Sequence, residues 1–299
     1  MSGYPLAALP PNDTLDPWFE TMRHLSVRAR RRVLRRFKPP MSWLLYKYCS
    51  SDRPYSYQNL RDVIVGSVLR LNSPSTFNDP FEMAAHFTFT GTEGQKLVRF
   101  EALLRQQAPH AGWRAIQAGM QRLMAATEDE LRPMLNVSLR GVRDTAGIYC
   151  FSGEPRSTLM WSHYASEHKG ACLIFERAQD VRTLCHAFRV RHTKNLTRIN
   201  WVRGFQKGIM RMLFAKHPAW KYEKESRILI KGQARRYLPF APPALRGIIF
   251  GCRAEPNFIE TVEGFLRERA TAGHPSVRVY CASTHPREYR LVVMQKRTF

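Results

Sequence analysis

The chain has 299 residues, 44% hydrophobic and 11% aromatic, and a formal net charge of +23. A chain of this length can bury a core without disulfide staples, and its apolar content excludes a disordered polypeptide. Its six cysteines form no C-x-x-C pair, so no metal site is expected, and without a leader or a membrane-spanning apolar run the expected location is cytoplasmic.

Residues 1–40 read as a basic N-terminal helical appendage. Pro10-Pro11 and Pro39-Pro40 bracket a predicted helix over 16–36. Residues 26–38 carry seven basic side chains and no acid, among them Arg30, Arg31, Arg32, Arg35 and Arg36. Such a face suits RNA, DNA or an anionic membrane, and equally an ordinary solvated helix. From residue 41 to 299 a single domain is expected. A strand is predicted at 43–48, a helix at 57–67, a strand at 68–72 and a turn-rich loop at 73–81. Apolar positions at helical spacing across 93–135 predict two or three helices broken at Pro109 and Pro133, so 93–136 reads as a helical insertion. There follow a strand at 146–152, a short helix at 157–167 and a strand at 171–176. Then come a helix at 199–216, strands at 220–231 and 245–251, a helix at 257–272, and strands at 277–282 and 290–295. Strands and helices interleave without strict alternation, which predicts an α+β fold. Its mixed and antiparallel strands are expected to form a central split sheet around a cleft. With no G-x-G-x-x-G and no phosphate-binding loop, neither nucleotide-binding motif is supported.

The positive charge is concentrated. Besides the first run, residues 189–236 hold fourteen Lys or Arg against Glu223 and Glu225 alone. Clustered cations are the footprint of a polyanion, most often nucleic acid, and arginine forks fit phosphates; an acidic surface or plain solubility is the alternative.

Chemistry-bearing residues gather in three stretches. Met160-Trp161-Ser162-His163-Tyr164-Ala165 lies between two apolar runs, Leu45-Tyr46-Lys47-Tyr48 opens the domain, and Trp220-Lys221-Tyr222-Glu223-Lys224-Glu225-Ser226-Arg227 comes late. Rings beside polar groups offer a planar ligand a face to stack on and donors to orient it. In a strand over 220–231, Lys221, Glu223, Glu225 and Arg227 share one face. Two close carboxylates fit either acid–base work or a cross-strand ion-pair ladder.

These motifs resemble the bacterial family known as domain of unknown function 2971. The resemblance rests on Leu45-Tyr46-Lys47-Tyr48, Ser75-Thr76-Phe77-Asn78-Asp79-Pro80-Phe81, Cys150-Phe151-Ser152, Met160 to Ala165, Lys169-Gly170, and Trp220 to Arg227, in that order. The order of elements is also similar, more distantly, to ADP-ribosyltransferases, which open on a Leu-Tyr-His strand and carry a late glutamate. Lys47 stands where many of those enzymes have His. That second resemblance implies NAD as a substrate, with Glu225 or Glu223 steadying the oxocarbenium-like state formed as nicotinamide leaves. It implies Lys47 on the pyrophosphate and Tyr46, Tyr48, Trp161 or Tyr164 stacked on nicotinamide or adenine. Asn78 and Ser152 would fix hydroxyls or the amide, with His163 and Arg227 completing the cofactor-binding set. Together with the basic surface this makes an enzyme modifying nucleic acid, in a toxin or phage-defence role, the leading expectation. The alternative is a non-catalytic nucleic-acid-binding protein whose aromatic cleft stacks a base.

Overall fold

The computed structural model describes residues 24–36, 43–53 and 55–299. In chain order it runs α1 (Val27–Arg36), β1 (Leu44–Cys49), α2 (Ser56–Ile64), β2 (Val68–Arg70), β3 (Ala85–Thr88), α3 (Glu93–Gln107), α4 (Trp113–Ala125) and α5 (Glu128–Thr145). It continues with β4 (Gly147–Phe151), α6 (Thr158–Tyr164), β5 (Ala171–Glu176), β6 (Phe188–Arg189), β7 (Arg191–His192), β8 (Thr197–Asn200), α7 (Phe205–Leu213) and β9 (Ala215–Lys216). Last come β10 (Ser226–Ile230), β11 (Tyr237–Pro239), β12 (Leu245–Phe250), α8 (Pro256–Thr271), β13 (Arg278–Thr284) and β14 (Leu291–Thr298). Helices with antiparallel and parallel strands make this an α+β fold.

The chain divides into two compact units, the first made of Met1–Ser73, Ala146–Val190 and Ala219–Phe299, the second of Pro74–Thr145 and Arg191–Pro218. The helices of the expected insertion fall in the second unit, which also takes in 74–92 and 191–218.

In the first unit a five-stranded sheet runs β1-β5-β12-β13-β14, parallel at β12/β13 and antiparallel elsewhere. A three-stranded antiparallel sheet runs β4-β10-β6. The two meet at one rung, where Tyr46 N donates to Ser152 O at 2.9 Å and Ser152 N to Tyr46 O at 2.7 Å. A second rung, Asn72 with Ile148, ties the chain after β2 to β4. The run Ala-Cys-Leu-Ile-Phe-Glu of β5 is apolar on both faces because it is a central strand. Phe258, Val262 and Leu266 of α8, four residues apart, share one face and bury it with Leu45, Phe151, Phe175, Ile228 and Phe250. Pro256 at the start of α8 and Gly273 (φ +75°) after its end bound the helix. Arg269, also buried, donates to the carbonyls of Ile64 (2.8 Å) and Pro242 (2.6 Å), and burial lowers its guanidinium to about 10.

Of the expected appendage, 1–23 and 37–40 lie outside the described residues. The described part, α1, packs on the first unit. Leu34 is fully buried against Ala178 and Cys185. Arg31 pairs with Glu176, and Arg31 and Arg35 sit 5.0 and 5.9 Å from the Trp43 ring.

In the second unit β3 pairs with β8 and β7 with β9, both parallel. A capping box between Thr92 and Gln95 starts α3. Trp201 packs on Phe89 and Phe100 with Arg99 4.8 Å from its ring. Pro133 sits inside α5 and does not break it.

Two predicted elements are corrected. The helix expected at 199–216 is α7 alone, preceded by strand β8. The Asn200 side chain accepts from Val202 N (3.0 Å) and Arg203 N (3.1 Å), a local turn that competes with helix, and Gly204 (φ +74°) opens α7. The strand expected at 220–231 begins only at Ser226. Residues Pro218–Glu223 form a 3-10 turn, and Lys224 adopts a left-handed conformation (φ 46°) before β10.

Candidate functional site

The break at Lys224 separates the two glutamates that a continuous strand would have put on one face. Glu225 receives Arg227 Nε at 2.6 Å and a second guanidinium nitrogen at 3.0 Å. Arg227 is 0% exposed, so this is a two-toothed ion pair inside the protein. The Cys150 thiol hydrogen-bonds to Glu225, and burial, with the neighbouring Glu225 charge, pushes it far above the usual thiol range. It therefore stays protonated. Lys47 donates to Cys150 O at 3.1 Å and lies 4.5 Å from the Tyr149 ring. Alternation along β1 puts Lys47 on the face shared by Leu45 and Cys49, and turns Tyr46 and Tyr48 to the other.

On that other face lies a second group. Glu223, 4% exposed, accepts from the Tyr164 hydroxyl at 2.7 Å, and its backbone carbonyl accepts from Ser152 Oγ at 2.7 Å. Tyr164 ends α6, which Ser157 caps through Met160 N. The His163 ring is 6.3 Å from Tyr164 and 6.4 Å from Tyr222, and Trp220 is 6.1 Å from Tyr222. Tyr46 is half-buried, and desolvation, with Cys172 and Glu154 adding to it, pushes its hydroxyl up to about 12. Lys224 bridges to Glu154 at 2.8 Å.

The predicted residues therefore fall into two sets, not one. Lys47, Glu225 and Arg227 meet around Cys150. Tyr46, Tyr48, Trp161, His163, Tyr164 and Glu223 gather across β1. Four residues expected at the ligand make contacts within the protein. Trp161 is 0% exposed, with its indole N–H on Pro155 O (2.9 Å) and its ring edge-on to Tyr48 at 5.2 Å, so neither face is open for stacking. The Tyr48 hydroxyl is spent on Glu154 O (2.6 Å) and the Ser152 hydroxyl on Glu223 O. Arg227 is likewise committed to Glu225. Asn78 is exposed and lies in the second unit, in a loop where Asp79 accepts from Phe81 N at 2.9 Å. Of the arginines on α1, Arg30 donates to Ala178 O, Arg31 pairs with Glu176, and Arg32 is exposed; the Arg36 side chain lies outside the described set.

One feature escapes the sequence pattern. The helix expected through Glu167 ends at Tyr164, and Ser166, Glu167 and His168 follow with φ of 47°, 52° and 74°. Left-handed backbone costs such residues about 1–2 kcal/mol each. The turn is held by Ser166 Oγ, which meets Ser50 Oγ (2.6 Å) and Ser51 N (3.0 Å), and by Arg253 N on His168 O (3.1 Å). Gly170 and Gly251 let neighbouring backbone in, since a Cβ at either would lie 2.1 or 2.0 Å from a carbonyl oxygen. The Lys169-Gly170 pair is the one sequence signal that marks this turn.

The site thus defines an α+β protein in which a short capped helix and a late 3-10 turn, far apart in sequence, share one tyrosine–carboxylate bond. Residues 160–228 match the family model described as Protein of unknown function (DUF2971). The matched segment begins at Met160 and takes in both Tyr164 and Glu223. No curated protein and no solved structure matches the chain. Among the described residues no helix is long and apolar enough to cross a membrane, and no three His, Cys, Asp or Glu side chains gather as a metal set.

Proposed function

We propose that the first unit is an ADP-ribosyltransferase-like enzyme that consumes NAD and modifies nucleic acid, with Glu223 rather than Glu225 as its working carboxylate. The observation that carries this reading is the 2.7 Å bond from half-buried Tyr164 to Glu223, which fixes a carboxylate next to half-buried Tyr222, with the exposed His163 ring packed on Tyr164 and Tyr222. Glu225 is held by a buried guanidinium and suits a structural role. Half-buried rings next to one oriented carboxylate match what nicotinamide riboside needs: a stacking face and a group that binds a ribose hydroxyl.

In the reaction the C1′–N bond of the nicotinamide riboside breaks and its electron pair leaves with nicotinamide. Positive charge then develops over C1′ and the ring oxygen, where the Glu223 carboxylate stabilises it more than it stabilises the ground state. A nitrogen or oxygen of the acceptor attacks C1′ and gives its proton to solvent. The Tyr164 hydroxyl positions the carboxylate and does not itself touch the reacting bond.

The test is release of nicotinamide from NAD with single- and double-stranded nucleic acids offered. Glu223→Gln should lower turnover by two decades or more, about 3 kcal/mol of barrier, while protection of the fold by NAD against heat changes little. Tyr164→Phe should cost about tenfold. A parent protein that releases no nicotinamide with any nucleic acid overturns the reading, and the non-catalytic nucleic-acid binder then leads.

A further inference from the structure

We propose that a cleft beneath the β13–β14 turn binds single-stranded nucleic acid, gripping its phosphates with Arg253 and Arg287 and stacking a base on Tyr289. The cleft holds about 660 Å3, within the range of small-molecule sites of about 300–1,000 Å3. Its lining comes from separate parts of the first unit: His168 from the left-handed turn, Arg253 from the loop after β12, and the β13–β14 turn.

The turn is built to present charge. His285 N donates to Arg290 O at 3.0 Å, and Arg287 N donates to His285 Nδ1 at 3.3 Å. Glu288 is the one carboxylate in the lining, and it pairs with Arg290. Arg253 and Arg287 are exposed and have no ion pair among the described residues. Two unpaired guanidiniums from different elements, turned into one cleft, leave an uncompensated positive field where planar forks fit phosphate oxygens. Tyr289, beside them in the same lining, is fully exposed. An aromatic ring flanked by cations is the pairing that single strands use, the base on the ring and the backbone on the charges. The His168 side of the lining is firm: its ring lies within 11° of parallel to buried Trp161, 6.3 Å away, and its Nε2 meets Ser162 Oγ at 3.2 Å.

This deepens the proposed function by seating the strand that would accept ADP-ribose; it rests on that reading for the strand's role as acceptor and not for the binding itself. The phosphate-and-ring chemistry is also that of a free dinucleotide, so the experiment separates the two sources. Binding of a short fluorescein-labelled oligothymidylate to the full chain is followed by anisotropy across a salt titration. Arg253→Gln with Arg287→Gln should flatten the log–log salt slope by about 1.4, two phosphate contacts on a single strand. Tyr289→Ala should weaken binding about fivefold or more. All three side chains are exposed, so each variant should keep the parent's melting temperature.

An unchanged slope in the double variant, or unchanged affinity in Tyr289→Ala, overturns the proposal. So does a double variant that loses thermal protection by NAD yet keeps its oligothymidylate slope, since the dinucleotide is then the occupant. If the parent releases no nicotinamide but the slope falls as expected, the cleft stands and the catalytic reading alone fails.

Discussion

Glu225→Gln leaves the Arg227 guanidinium buried without its counter-charge. Breaking one side of a buried pair costs about 3–5 kcal/mol, so urea denaturation should show a loss of that size. Nicotinamide release per folded molecule should stay within a fewfold of the parent, which separates this glutamate from Glu223. The distinction was not legible in the sequence. Lys221, Glu223, Glu225 and Arg227 alternate as a strand does, and lysine at 224 gives no warning that it will adopt a left-handed conformation. The residue types of the site were legible: rings, a late carboxylate, a basic strand. Which ring meets which carboxylate was not, because Tyr164 and Glu223 are 59 residues apart and only the tertiary fold brings them together.

At the scale of elements, α1 behaves as a docked helix whose anchor is one leucine. Leu34→Ala removes a fully buried side chain, a change that costs about 2–5 kcal/mol at core positions. Because α1 lies near the start of the described chain, the loss should appear as local opening. Trypsin should cut within α1 at least about tenfold faster while the melting temperature of the remaining body moves little. Its exposed Arg28 and Arg32 are free to meet a polyanion, whereas Arg31 is engaged with Glu176. The elements that sequence reading located well are those with a strong physical signature. The central strand Ala171–Glu176 is an unbroken apolar run ending on an acid, and Pro256 and Gly273 punctuate α8. The four-residue strand β8 carries no such mark, and the Asn200 turn behind it resembles a helix start.

For the whole molecule, the α+β class follows from the interleaving of short elements, but the two compact units do not. The second is assembled from two separate stretches, and the parallel pairing of β3 with β8 that links them is a contact between distant residues. Stability should also depend on pH in one direction. His186 is held below its ordinary 6.5 by burial, and His168 by burial and by Arg253. Stability from both is present above that ordinary value and is lost as pH falls through the lowered folded values, because the unfolded chain then binds protons that the fold refuses. The melting temperature should fall between pH 7.5 and 5.5, and His186→Asn should narrow that fall. An equal drop in the variant would assign the acid sensitivity to other groups.

The rung between Asn72 and Ile148 also sets an order of events as the chain folds. Both of its hydrogen bonds wait until all of 73–147 has been looped out, an entropy cost of about 4 kcal/mol for a closure of this length. The contact between α3 and α4 needs only a short connection, and helices form in microseconds. Helical signal should therefore return early on refolding, while the first unit closes its ladders late. Far-ultraviolet circular dichroism should recover ahead of the fluorescence of Trp161, whose burial requires β1, β5 and β12 to be in place together. During that interval β1 is an unpaired edge, open to any passing strand.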